Sequence, residues 1–253
     1  MTKSIANSTY HSLQAKVERR VVKGLSVLGA YTWSKSLSNS DISSVGGGSF
    51  LAGIQDYMNL AASRSYSVFD IPHRLSVSAL YDLPLFNSAR GLTRTILGGW
   101  QLGTIVTEQT GFAAALSNVV DTTGTGIASR PNAVAGQNPM LDRSQRTRAR
   151  WFNTAAFTFP TPGQFGTAAR EPIHLPGFNQ VDVSATKNFR FRESQVVQFR
   201  AEFFNFFNHV NLGAPGLNIV DTNNFGRVTS TSQGAAGMPG DSRVVQFGLK
   251  YRF

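Results

Sequence analysis

Val244–Phe253 reads VVQFGLKYRF and alternates without a break: Val245, Phe247, Leu249, Tyr251 and Phe253 fall on one face, Gln246, Gly248, Lys250 and Arg252 on the other. A period of two describes a strand with one oily and one wet side. Working outward from that stretch, the same pattern recurs in Tyr10–Val21, Leu25–Ser34, Leu75–Leu83, Trp100–Glu108, Phe178–Phe191 and Val197–Phe207. In Leu25–Ser34, for example, Leu25, Val27, Tyr31 and Trp33 oppose Ser26, Thr32 and Ser34. No stretch shows a comparable helical period, so the expected class is all-β, built from about seven antiparallel amphipathic strands.

The spacing between strands narrows the class further. Connections alternate between short or moderate (Val22–Gly24, Pro84–Leu97, Arg192–Gln195) and long (35–72, 111–177, 208–243), and the long ones are rich in Gly, Ser, Asn, Thr and Pro. Loops beyond about 12–15 residues are uncommon in compact soluble domains. Short turns at one end and long loops at the other, joined by strands of about 9–11 residues, are instead the plan of an outer-membrane barrel. The wet faces carry Lys16, Arg20, Arg74, Arg190, Arg200, Lys250 and Arg252 against Glu18, Asp82, Asp182 and Glu202, a mildly basic lining. Aromatics gather at both strand ends: Tyr81, Trp100, Phe189, Phe191, Tyr251 and Phe253 near the short turns, Tyr31, Trp33, Phe203, Phe204, Phe206 and Phe207 toward the long loops. Two such belts match the interfacial girdles of a membrane barrel. Arg19 and Lys187 interrupt the oily face near the short turns, where a long basic side chain can snorkel to the interface. An ordinary antiparallel sheet with one solvated side is the competing architecture.

Composition excludes other classes. Of 253 residues only 15% are charged, with 24 Lys+Arg against 14 Asp+Glu for a net charge of +10. About 25% is usual for a soluble domain. The chain has no Cys, hence no disulfide framework and no Cys-ligated metal. No apolar run reaches the roughly 18 residues of a membrane helix. The amino end, MTKSIANSTYHSLQAKV, lacks the apolar core of a signal peptide.

Enzymatic motifs are also missing, and no cofactor is expected. His11, His73, His174 and His209 are scattered, without the spacing of a zinc site. The glycines Gly46–Gly48 in SVGGGSF are not followed by the Gly-Lys-Ser/Thr of a phosphate loop. Asp41, Asp56, Asp121 and Asp221 lie in long loops and are the candidates for a cation or rim site. DRSQRTRAR, residues 142–150, is the one concentrated basic patch. Only Trp151 adjoins it, too little stacking surface for nucleic acid, so a solvated loop touching acidic lipopolysaccharide is expected and nucleic acid is not.

Several segments together resemble the carboxyl-terminal barrel of Oar-like TonB-dependent transporters: YHSLQAKVERRVVKGLSVLGAYTWSKS, FDIPHRLSVSALYDLP, WFNTAAFTFPTPGQFG, LPGFNQVDVSATKNF, FRAEFFNFFNHVN and VVQFGLKYRF. The resemblance covers almost the whole chain; REPIHLPGF departs from it, being less Gly-rich before the strand than expected. It implies a barrel of about 22 strands with a plugged lumen, in the cell outer membrane, of which this chain would be the last third without signal peptide, plug or earlier strands. It further implies energised uptake of an unknown extracellular ligand, with the TonB complex engaged only through the plug. A non-transporting surface adhesin or binding barrel is the alternative. The terminal strand, with Val245, Phe247, Leu249, Tyr251 and Phe253, resembles the signal read by the barrel-assembly machinery, whose physical basis would be strand pairing at an open edge.

Overall fold

A computed structural model describes residues 6–41, 44–45, 48–49, 54–86, 88–117, 120–126, 128–191, 195–232 and 242–253. Gly46, Gly47 and residues 192–194 of the expected Arg192–Gln195 connection lie outside them. Seven long strands form one sheet: β1 (Ser8–Val22), β2 (Leu25–Ser38), β3 (His73–Asp82), β4 (Trp100–Gln109), β5 (Phe178–Arg190), β6 (Val196–Phe204) and β7 (Val244–Arg252). Their order in the sheet is their order in the chain, every pair is antiparallel, and the sheet does not close. The two-residue strand Ser65–Tyr66 adds to the loop end of β2.

Register follows from the alternation, because a slip of one residue would turn every side chain to the other face. One lateral row runs Arg19, Val27, Ala79, Thr104, Val183, Phe203, Val245 across all seven strands. A second, on the opposite face, runs Ser26, Leu80, Gly103, Ser184, Glu202, Gln246. The apolar face is uncovered: Val17, Phe247 and Leu249 are 68%, 68% and 76% exposed. In water such a sheet would forfeit most of its hydrophobic stabilisation; in a bilayer the exposed face is where it belongs.

All three long connections leave from one end of the sheet, and there the buried core sits. Phe152 and Ile173 are fully buried, with Ala114, Leu116, Ala156, Phe157, Ala168 and Ile219 around them. Phe152 packs edge-on against Phe157 and Phe225, at 6.1 and 5.2 Å between ring centres. The loops therefore form a packed cap rather than polar tethers. Their composition hides this, since the apolar residues are spaced irregularly and belong to two different connections, β4–β5 and β6–β7.

At the other end the β1–β2 turn places Lys23 at φ 51° and Gly24 at φ 78°, the pair of positive angles a type I′ hairpin requires. The β3–β4 connection departs from the sequence expectation, for it contains a helix, α1 (Gly91–Leu97). Seven residues are too few to establish a period of 3.6. Leu92 and Ile96, one turn apart, are exposed on it, and Leu85 and Phe86 are exposed just before it, as suits a helix at a membrane interface. Lys187 does not snorkel outward. It is buried, its amine donates to the Gly98 carbonyl just past α1, and its ammonium lies 5.6 Å from the Trp100 ring centre and 5.1 Å from that of Phe189.

Strand ends also shift. β2 continues to Ser38, which is fully buried in the cap, and β6 stops at Phe204, leaving Phe206 and Phe207 in the following turn.

Candidate functional site

The polar face is laced with short-range ionic contacts. Glu18 lies 3.0 Å from Lys16 and 3.4 Å from Arg20 along β1, and Arg200 lies 3.4 Å from Glu202 on β6. Gln101 donates to Asp82 at 2.8 Å, and the Gln180 amide donates to both Asp182 oxygens. Each pair joins residues that alternation or cross-strand pairing puts on one face, so the strands alone position them.

Within that face lies a groove of about 350 Å³ whose walls include Leu28, Leu80, Ile105 and Phe204 beside Asp182 and Glu202. A Cβ at Gly103 would stand 2.5 Å from Ser184 Oγ, so the missing side chain is what opens the floor. Phe204, expected in the loop-end aromatic belt, faces the polar side instead. Leu28, Leu80 and Ile105 carry their own signal in the sequence, as apolar residues at wet-phase positions: Leu28 between Ser26 and Ala30, Leu80 between Ser78 and Asp82. An apolar floor flanked by two carboxylates suits an apolar group attached to a cationic or hydrogen-donating one.

The cap is stitched by a second, buried polar cluster. Arg170, fully buried, donates to Ser38 Oγ at 2.5 Å, Asp41 Oδ2 at 2.9 Å, the Ser38 carbonyl at 3.1 Å and the Ser63 carbonyl at 3.2 Å. Arg130 donates to the Ala62 carbonyl, Gln55 donates to the Gly166 carbonyl at 2.7 Å, and the Glu171 N–H donates to Ser65 Oγ. These bonds fasten the β2–β3 connection to the β4–β5 connection. Glu171 is the odd member. Arg170 Nε lies 3.2 Å from its Oε2, yet that N–H is aimed at Ser63, and neither Glu171 oxygen receives a hydrogen bond from the described residues. Burial pushes its carboxyl up to about 8, with Arg170 pulling the other way. Glu171 is therefore the neutral acid of the cluster at pH 7, and Asp41 answers the charge of Arg170.

The loop acids proposed for a cation are engaged internally. Asp41 holds Arg170, and Asp56 accepts the Met58 N–H. Asp121 accepts N–H bonds from Thr123, Gly124 and Gly126, which hold its carboxyl below the usual range. Asp221 accepts from Asn224. The four histidines remain apart. His174 Nε2 lies 3.0 Å from Asp70 Oδ2, His73 Nδ1 lies 2.8 Å from the Tyr31 hydroxyl, the His209 N–H donates to Asn205, and His11 is exposed on β1. Among the described residues no group of three potential ligands is disposed around a metal site.

The terminal strand pairs with β6 alone, its other edge having no strand partner among the described residues. Val245, Phe247, Leu249 and Tyr251 share the apolar face and Phe253 follows just past the strand, 93% exposed. Phe247 stacks on Phe199 at 6.2 Å.

Comparison with known proteins adds one match. The sequence model of a family described as an outer membrane beta barrel domain matches residues 1–246. No curated protein and no solved structure gave a match. An uncovered apolar face, a polar face carrying ion pairs, hairpin turns at one end and large loops at the other are what that family's environment demands. The chain belongs to the outer membrane beta barrel domain family, and its place is the cell outer membrane.

Proposed function

We propose that the chain forms part of the wall and outer lid of an Oar-like TonB-dependent transporter, which takes up an extracellular ligand at the expense of the inner-membrane proton gradient. The observation that carries this is the polar face. Eleven ionisable side chains line it, and the ion pairs among them are too loose and too exposed to suit a dry interior, where each unpaired ion would cost several kcal/mol. They fit a wide, water-filled lumen, which needs more strands than seven. The family resemblance of six segments in order supports the same reading. By the rule for bacterial barrels, the hairpin end then faces the periplasm and the cap faces outward.

Cells bearing the intact protein are offered a mixture of peptides, oligosaccharides and ferric siderophores, and depletion of the medium is followed by mass spectrometry. Under this proposal, depletion of at least one compound stops when the gradient is collapsed, while binding at the surface persists. Depletion indifferent to the gradient would identify a passive pore, and binding without any depletion would identify a surface binding protein.

A further inference from the structure

We propose that the protein carries a binding site for the headgroup of a phosphorylated glycolipid of the outer leaflet, where the basic segment 142–150 overhangs the lipid-facing ends of β2, β3 and β4. This rests on the outer-membrane placement and not on the transport reading.

A groove of about 820 Å³ separates the two. One side is formed by Tyr31, Leu75 and Glu108, which lie on the apolar face at the loop end of their strands. The other is formed by Arg143, Arg146 and Trp151 of the β4–β5 connection. Tyr31 belongs to the loop-end aromatic belt, and such belts sit at headgroup level. The guanidinium groups are thus held at the height of lipid phosphates, outside the barrel wall.

Charge and geometry then select the occupant. Segment 142–150 has four Arg and one Asp, a net +3. The Arg143 side chain has no hydrogen-bond or ion-pair partner among the described residues. Arg146 is oriented by its Nε donating to the Leu141 carbonyl at 2.9 Å and by the Trp151 ring 5.8 Å beneath its guanidinium. Its terminal amino groups have no protein acceptor among the described residues. Burial and the adjacent Arg143 pull its pKa below the ordinary guanidinium value, Asp142 opposing, and a bound anion would relieve that. An oriented fork of donors is suited to phosphate. Glu108 lies in the same groove, its carboxylate taking a bond from Asn179 at 3.1 Å. Its remaining acceptor positions disfavour a bare phosphate and suit sugar hydroxyls. Phosphate, sugar hydroxyls and an apolar floor together describe a phosphorylated glycolipid.

The intact protein, purified from outer membranes in neutral detergent, is titrated with diphosphoryl lipid A and with the same lipid dephosphorylated, and bound lipid is counted by native mass spectrometry. The phosphorylated lipid is expected to bind about tenfold or more tightly than its partner. Arg143→Ala with Arg146→Ala abolishes the difference, while Arg90→Ala with Arg94→Ala, which removes two charges at the hairpin end, leaves it intact. Inorganic phosphate at millimolar concentration does not displace the lipid. Equal binding of the two lipids by the unmodified protein, an unchanged preference in the Arg143/Arg146 variant, or displacement by inorganic phosphate would each overturn the assignment. Should the double variant fail to assemble, the lipid pair on the unmodified protein, with Arg143→Gln alone, decides the question.

Discussion

Raising the pH from about 5 to about 8 should loosen the loop cap, and Glu171 is the reason. In the closed cap its carboxyl is raised to about 8 by burial; in an opened cap it returns to about 4.3. Below about pH 4.3 both states are protonated and the contribution to stability is complete. As pH rises, the opened state gains the free energy of ionisation while the closed state does not. The contribution is lost progressively and is gone once pH passes the folded value near 8. Each pH unit in that window moves the opening equilibrium by up to tenfold, about 1.4 kcal/mol. The whole window is worth about 5 kcal/mol at most.

Glu171→Gln keeps the size of the protonated acid and removes the titration. Hydrogen exchange at amides bonded across the seam reads the opening directly: Glu171 N–H to Ser65 Oγ and Arg130 N–H to Gln55 Oε1. After correction for the intrinsic pH dependence of exchange, protection at these amides should fall between pH 5 and 8 in the unmodified protein and stay level in the Gln variant. The two proteins differ at this one side chain, so the difference between their pH profiles belongs to Glu171. Parallel slopes in the two proteins, or stronger protection at pH 8 than at pH 5, would refute the reasoning.

Gly166→Ala places a Cβ 1.7 Å from the Arg130 carbonyl oxygen; the backbone must shift, and the cap should lose about 1–3 kcal/mol, read as faster proteolysis of the loops with the barrel intact. Lys187→Met strips the Gly98 carbonyl of its donor and two rings of their cation, and should lower the temperature at which the folded barrel converts to its unfolded mobility on gels, while Arg19→Met, on the same face, should not. An impermeant thiol reagent on intact cells should label Ser144→Cys in the cap and spare Arg90→Cys beside α1; the reverse would invert the orientation. If the assembly machinery reads the terminal strand, deleting Phe253 should lower the amount of protein in the outer membrane far more than Val245→Ala; equal effects would make Phe253 a packing residue.

The sheet was legible because its information is local. Alternation fixes which face each of Val245, Phe247 and Leu249 occupies, and register follows from the neighbouring strand's alternation. The cap was not legible, because its core joins residues far apart in sequence, such as Leu116, Phe152 and Ile219, with no period to announce them. Arg170 and Glu171 illustrate the same limit from the polar side. In the sequence they sit in REPIHLPGF as ordinary surface charges, and only the closing of a loop 129 residues away brings Asp41 onto Arg170. The same REPIHLPGF stretch is where the family resemblance weakened. In this chain the residues there are committed to the seam of the cap instead of to a glycine-rich approach to β5.

Two seams hold the cap together, and they differ in chemistry. The β2–β3 and β4–β5 connections are joined by the polar cluster around Arg170, whereas β4–β5 and β6–β7 are joined by apolar contact of Phe152 and Phe157 with Phe225 and by the Trp151 N–H donating to the Gly226 carbonyl at 2.8 Å. Aromatic packing carries no proton to titrate and is insensitive to pH. The polar seam responds through Glu171, and removing one member of so buried a cluster leaves others without partners. Opening of the cap should therefore begin at the β2–β3 connection. The Phe152 cluster then keeps the other two loops together as one body, and the overhang that carries Arg143 and Arg146 stays in place beside β4 and β5 while the seam opens.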